Sequence, residues 1–186
     1  LRQDQLTKFQ QRYFRYPIPP KLRRRAAEGF VRPFMRRAYR REVTNDEVGR
    51  VMRLAKVAVD SGGSFEDGIR LAVQAVLISP HFLFRWELDG APENPKAIRS
   101  LNEFELASRL SFFLWSSMPD DRLLELAAKA QIRKNLKQEV SRMLSDEKAK
   151  ALVGNFAGQW LQLRNLDVYQ PDKKLFPMFT PELREA

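Results

Sequence analysis

Helix-start signals followed by helical periodicity are the feature that most constrains this fold. In a capping box, a polar side chain and an acidic side chain three residues later each accept a hydrogen bond from a free backbone N–H at the helix start. Three pairs with this spacing predict helix starts: Thr44 with Glu47, Ser64 with Asp67, and Ser100 with Glu103. Apolar residues recur at helical spacing behind each pair, and no segment alternates like a strand over a useful length. The sequence predicts an all-α fold of about seven helices in two packed groups, with no significant sheet.

The first helix of the chain is predicted from about Arg23 to Arg40. Pro17, Pro19 and Pro20 precede it and favour extended chain, because proline fixes φ and lacks an N–H. Pro33 lies inside the helical pattern and is expected to kink the helix or to mark a late start.

The helix that follows Ser100 is predicted to end at about Trp115, and it is apolar on almost every face. A helix of this kind is typical of the centre of a core. Glu105 and Arg109 stand four residues apart on its polar stripe, in the order that favours an ion pair.

The next helix is predicted to start at Pro119, with Asp120 and Asp121 in its first turn. The helix dipole stabilises acidic groups at this position. A carboxylate pair could instead serve acid–base chemistry, but neighbouring side chains on a first turn splay apart. We therefore favour the capping role.

Two further helices complete the second group. Their predicted inner faces are Leu136, Val140, Met143 and Leu144 in one, and Ala149, Leu152, Val153, Phe156, Trp160 and Leu163 in the other. The second of these helices is expected to open near Asp146 and to run to about Leu163. Gly154 and Gly158 have small-xxx-small spacing, which predicts close approach of a neighbouring helix rather than a membrane dimer.

The segment "DGAPENPKAIR", residues 89–99, is rich in proline and has little to bury, so it predicts a linker. The resulting division has four parts. They are a basic aromatic N-terminal arm (1–21), a first small helical domain (22–88), the linker (89–99), and a second helical domain (98–186) that looks truncated at its C-terminal end.

The positive charge is concentrated near the N-terminus. Residues 1–41 hold 13 Lys and Arg against two acids, and the whole chain has a net charge of +10. The basic residues that could contact a polyanion are Arg23, Arg24, Arg25, Arg36, Arg37, Arg40 and Arg41. Arginines interleaved with aromatic rings suit a nucleic acid, and they suit an acidic protein or an anionic surface equally well. The alternative that we favour is that the arm is the remnant of a preceding domain, and that its arginines pair with acids that are missing from this segment or that face them across the interface.

Composition excludes several classes of site. The chain has no cysteine, which excludes a disulfide framework, a cysteine zinc site and attachment of haem c to this chain. No apolar run reaches the length of a transmembrane helix, and no signal-peptide pattern is present. Both ends look cut, so we expect a segment of a longer protein.

Few residues are candidates for chemistry. His81 is the only histidine and has no second histidine or metal-binding motif around it, so it is expected to be a turn residue. Trp86, Trp115 and Trp160 could stack on sugars or haem, but their places in apolar stripes favour core packing. The sequence predicts no catalytic residue, no metal ligand and no cofactor site in this segment.

Three long stretches together carry a family resemblance. They are "FMRRAYRREVTNDEV" with "GGSFEDGIRLAVQAVLISPHFLFRWE", then "LNEFELASRLSFFLWSSMPDDRLLELA", then "ALVGNFAGQWLQLRNLD" with "FPMFTPELREA". The chain resembles two adjacent members of the uncharacterised domains that are abundant in planctomycetes and related bacteria. These domains occur in large exported proteins that often also carry a cytochrome c domain. The resemblance implies an exported or envelope protein with haem c in a neighbouring domain, and it implies no catalytic residue.

Three functions are consistent with these features. The leading hypothesis is a non-catalytic helical module for scaffolding or interaction within a larger exported bacterial protein, with neighbouring domains of that protein as partners. The second is part of a composite redox or carbohydrate-directed enzyme, which carboxylates such as Glu87 and Asp120 in a shared cleft would favour. The third is polyanion or nucleic-acid binding through the basic arm.

Overall fold

The computed structural model describes residues 18–85, 87, 93–94, 96, 98–162, 165, 171–172 and 174–180. Within them the α-helices are α1 (Pro20–Tyr39), α2 (Asn45–Asp60), α3 (Phe65–Leu77), α4 (Pro80–Leu83), α5 (Glu103–Trp115), α6 (Asp121–Ala128), α7 (Leu136–Leu144) and α8 (Gly158–Trp160). A 3₁₀ turn (Glu147–Ala149) and a π-helical segment (Leu152–Ala157) lie between α7 and α8. Most of the predicted arm and linker, together with Trp86 and Leu163, lie outside the described residues.

The all-α prediction is confirmed, because no residue that the structure describes is in a strand. None of the described helices is both long enough and apolar enough to cross a membrane.

Helices α1 to α4 form the first helical group. Helix α2 packs against α3, and α1 lies across both. Their shared core is made of Val31, Met35, Ala38, Tyr39, Val48, Val51, Ala55, Ala72 and Val76, with Ile18, Ala27 and Ile69 beside it. Both predicted capping boxes in this group are present, at the starts of α2 and α3. The short α4 buries none of its residues and therefore depends on other contacts for its position.

Helix α1 starts earlier than predicted and runs through its internal proline. Pro20 occupies the first helical position, where its missing N–H costs nothing. Pro33 cannot donate to the carbonyl of Gly29, but both residues face solvent, so water can satisfy that carbonyl. Of the two alternatives for Pro33, the late start is wrong, because Pro33 lies in the second half of the helix.

Helices α5 to α7 form the second group around a separate core. This core consists of Ala107, Leu114, Trp115, Leu123, Ala127, Ile132 and Met143. The indole N–H of Trp115 donates to the carbonyl of Met143 at 2.8 Å, so the ring is packed with its polar atom satisfied. The predicted core role of Trp115 thus agrees with the structure.

The capping box of α5 was predicted two residues too early. Asn102, not Ser100, accepts from the N–H of Glu105, and the Glu105 carboxylate accepts from the N–H of Asn102. Asparagine caps a helix as well as serine does. Glu103 is thereby released, and it accepts from the N–H of Ile132 at 2.7 Å, which ties the loop after α6 to the start of α5.

The inner face predicted for α7 is only partly correct. Met143 is buried, but the other fully enclosed side chain is Glu139, whose carboxylate has no exposed area. Leu136 and Leu144 are exposed instead. A helix whose buried position is acidic breaks the apolar period, and this explains the wrong assignment.

The helix predicted from Asp146 to about Leu163 is present over most of its length, because Asp146 caps its start and residues 147–160 are helical throughout, but it is not an α-helix along that whole length. The chain there passes through the 3₁₀ turn and the π-helical segment before α8. A π turn contains extra residues per turn and rotates the side chains that follow it. Val153, Phe156 and Trp160, which were predicted to face inward, are exposed as a result.

Candidate functional site

Four of the seven candidate arginines are engaged within the chain. Arg36 donates to Glu42 at 2.7 Å and to the carbonyl of Leu124. Arg37 forms a bidentate pair with Asp121, which joins the first helical group to the second.

Arg41 forms a bidentate pair with Glu47, with donor–acceptor distances of 3.1 and 2.6 Å. Arg23, Arg24 and Arg25 lie exposed near the start of α1, and they form no ion pair with any described residue. The seven predicted arginines therefore fall into two groups: three are exposed near the start of α1, and four form hydrogen bonds or ion pairs within the chain.

Arg40, the fourth engaged arginine, is buried, with 8% of its surface exposed. Its Nη1 donates to the carbonyls of Ala38 (2.9 Å) and Phe82 (3.4 Å). Its Nη2 donates to the carbonyls of His81 (3.0 Å) and Phe84 (2.8 Å). This guanidinium joins the end of α1 to α4, which buries nothing of its own.

A cleft of about 750 Å³ lies where the two helical groups meet. Its lining from the first group and the segment after it consists of Tyr39, Arg40, Arg41, His81, Phe84, Arg85 and Glu87. Its lining from the second group and the segment before it consists of Arg99, Asn102, Phe104, Glu105, Ser108 and Arg109. The volume is in the range of small-molecule sites.

Both carboxylates that line the cleft are held by arginines. Glu87 accepts from Arg109 through both oxygens, at 2.8 and 2.5 Å, and these bonds lower the pKa of the Glu87 carboxyl. Glu105 accepts two bonds from Arg99, at 3.1 and 2.9 Å. The predicted pair of Glu105 with Arg109 is replaced by these two longer-range pairs.

Glu47 borders the same region. Its bonds from Arg41, followed by those from Thr44, lower its pKa to about 2 although partial burial opposes the shift. The imidazole Nε2 of His81 lies 3.9 Å from the Glu47 carboxylate, and the ring of His81 lies against Tyr39. His81 therefore stands at the edge of the cleft, at the start of α4 and not in an isolated turn.

Asp120 and Asp121 point to different partners, as expected for neighbours at a helix start. Asp120 is the N-cap of α6, accepts from the N–H of Leu123, and pairs with Arg142. Asp121 pairs with Arg37. Asp120 is not part of the cleft lining, so Glu87 and Asp120 do not share a site.

Arg85 and Arg99 are site residues that the sequence reasoning missed. Residues 42–186 carry almost no net charge, and that balance concealed a local cluster of arginines. The available signal was the position of each residue: Arg85 lies two residues after the end of α4, and Arg99 lies four residues before the start of α5.

An exposed aromatic surface lies apart from the cleft. We call it the aromatic face, and define it by Phe113, Val153, Phe156 and Trp160. The ring of Phe156 lies edge-on to Phe113 at 5.7 Å and stacks on Trp160 at 5.9 Å. Trp160 is 73% exposed, so its predicted core role is wrong.

The two glycines with small-xxx-small spacing lie next to this surface. A Cβ added to Gly154 would meet no atom within 4 Å among the described residues. Close packing of a neighbouring helix at Gly154 stays a prediction. Gly158 is buried, with only ordinary contact available to a Cβ.

Among the described residues, no group of three or more histidine, cysteine or acidic side chains is arranged to hold a metal ion. The fold and the cleft thus define a two-part all-α protein with an arginine-lined junction. Residues 26–87 match the family model of PSD5, a protein of unknown function (DUF1595), and residues 101–186 match that of PSD4, a protein of unknown function (DUF1592). Two adjacent stretches of the chain are therefore similar to these two families of unknown function. No curated protein and no solved structure matches the chain.

Proposed function

We propose that this segment is a non-catalytic scaffolding and interaction module of a larger exported bacterial protein that is associated with cytochrome c. The aromatic face is the observation that carries the proposal. Three exposed rings, of which Phe156 contacts both Phe113 and Trp160, form the kind of surface that marks a contact site for another protein. The partner is a neighbouring domain of the same larger protein, and haem c belongs to such a neighbour. The export and the haem-bearing neighbour rest on the family resemblance.

The carboxylates of the cleft support a non-catalytic role. A general acid or base near neutral pH needs a pKa close to the working pH. Glu87 has a lowered pKa because Arg109 binds both of its oxygens, and Glu105 is occupied by Arg99 and by the cap of α5. Carboxylates whose oxygens are bound by arginines in this way suit a structural role better than proton transfer, which disfavours the composite enzyme.

The test compares the chain alone with the larger protein from which it derives. Hydrogen exchange at residues 152–162 should slow several-fold when the neighbouring domain is present, in the same chain or added separately. Trp160→Ala should weaken that association, because interface tryptophans carry much of the binding energy. The control is Ile78→Ala on the first helical group, since Ile78 is 74% exposed and Trp160 is 73% exposed. Unchanged exchange at the aromatic face in the larger protein would refute the proposal.

The exposed triplet of arginines near the start of α1 favours a second candidate function, polyanion binding. Arg23, Arg24 and Arg25 have no ion partner among the described residues, so their charge is available to phosphates or to an anionic surface. The affinity for duplex DNA falls as the salt concentration rises, and replacing all three arginines with Gln should make the slope of log K (the association constant) against log salt less steep by up to about 2.7.

The charge-matched control for that experiment replaces three exposed lysines of the second group, Lys129, Lys134 and Lys137, with Gln. An equal effect of the two triple variants would mean that the protein binds polyanions only through its general positive charge. No binding at low salt would exclude this candidate function.

A further inference from the structure

The arginines that line the cleft outnumber the carboxylates that can neutralise them. Five arginines line it, and three of them are matched, Arg41 by Glu47, Arg99 by Glu105 and Arg109 by Glu87. Arg40 and Arg85 remain, and neither forms an ion pair with any residue that the structure describes. We propose that the cleft binds a small ligand that carries a phosphate, sulfate or carboxylate group beside a ring, with Arg85 as the main hydrogen-bond donor.

Arg40 contributes a fixed positive charge to this site rather than hydrogen bonds to a ligand. Both of its Nη atoms are occupied by backbone carbonyls, so they are not free for a ligand. Burial, followed by the nearby charge of Arg85, lowers the pKa of Arg40. Two guanidinium groups that repel each other at the wall of a cleft are both relieved by one bound anion.

Arg85 contributes the donors. Its side chain is exposed, and its guanidinium lies over the ring of Phe112, 4.7 Å from the centroid. Stacking on a ring leaves the N–H groups at the edge of the guanidinium plane available for oxygens. No described residue accepts a hydrogen bond from Arg85, so this edge is open to an oxyanion that binds through two oxygens.

Aromatic side chains at the same wall select for a ring on the ligand. Phe84 is exposed and immediately precedes Arg85, while Phe104 approaches from the second helical group. Their faces can contact an apolar or aromatic ring once the anion is held. The cleft volume of about 750 Å³ accommodates such a molecule.

Calorimetric titration of the whole chain with sodium phosphate and with phenyl phosphate, at constant ionic strength, tests this site. Arg85→Gln should weaken phosphate binding by about ten-fold or more, because it removes a charged donor pair. Phenyl phosphate should bind the unmodified chain more tightly than phosphate. Arg85→Lys should bind with intermediate affinity, since it keeps the charge and loses the fork. Thermal melts of the variants confirm that each is folded.

The control is Arg50→Gln on α2, which removes the same charge from an exposed position outside the cleft lining. Arg50 forms no ion pair with a described residue, so this substitution should leave the affinity unchanged. Equal weakening by Arg50→Gln and Arg85→Gln would show general charge attraction and overturn the site. So would the absence of saturable phosphate binding in the millimolar range. Equal affinities for phosphate and phenyl phosphate would overturn the contact with a ring.

Discussion

Replacing Glu139 with Gln tests whether a buried ionic network holds the second helical group together. The Glu139 carboxylate has no exposed area, and it accepts from Arg122 at 2.9 and 2.6 Å and from Arg142 at 2.8 Å. Arg142 also binds Asp120, the cap of α6, and it lies over the ring of Trp115. The Arg142 side chain thus connects α7 to the start of α6 and to the core.

The expected loss of stability follows from these contacts. Removing one partner of a buried ion pair costs about 3–5 kcal/mol, because the remaining charges lose their compensation. Arg122 is 52% exposed and can turn to water, so we expect the lower end, about 3 kcal/mol, for Glu139→Gln. For a chain of this length that corresponds to a fall in Tm of about 6–12 °C.

Urea unfolding followed by circular dichroism, together with calorimetric melting, measures this loss. Glu125→Gln on the exposed side of α6 is the control, and it should change stability by less than about 0.5 kcal/mol. If Glu139→Gln changed stability no more than Glu125→Gln does, the network would not carry the packing of α7 and the reasoning would be wrong.

Three further predictions concern the first group, the junction and a backbone site. The pKa of the Glu47 carboxyl is about 2, against an ordinary value of 4.5. The ionised carboxylate therefore contributes at most about 3 kcal/mol to the free energy of unfolding, and this contribution is complete above pH 5 and is lost as the pH falls through 4.5 towards 2. Glu47→Gln should flatten acid unfolding curves in that window. Arg37→Gln should cost less than about 1 kcal/mol in urea unfolding, because both partners of the pair with Asp121 are about half exposed, and a loss above 2 kcal/mol would contradict this view. Ala130 has a φ of 52°, so Ala130→Gly should stabilise the protein by about 0.5 kcal/mol in the same assay, and destabilisation would contradict the assigned strain.

The elements of the first group could be predicted because local signals agree there with the tertiary packing. The boxes at Thr44 and Ser64 were read from spacing alone, and both are formed. The box at Ser100 failed because two polar residues compete for the cap, and the spacing of Asn102 with Glu105 equals that of Ser100 with Glu103. Local rules do not choose between such neighbours.

The cleft could not be predicted, because its pairs join residues that are distant in sequence. Glu87 is 22 residues from Arg109, and spacing within one helix instead favoured Glu105 as the partner of Arg109. Burial of Glu139 and exposure of Trp160 reverse the usual preference of each residue type, and only tertiary contacts can reveal that.

The anchoring of α4 by Arg40 has a consequence for how the protein responds to acid. The links made by Glu47 and Glu139 disappear once their carboxylates are protonated, whereas arginine keeps its proton throughout that range. The carbonyl oxygens that receive the Arg40 guanidinium do not titrate either. At low pH, the bonds from Arg40 should therefore hold α4 in place for as long as α1 itself stays folded.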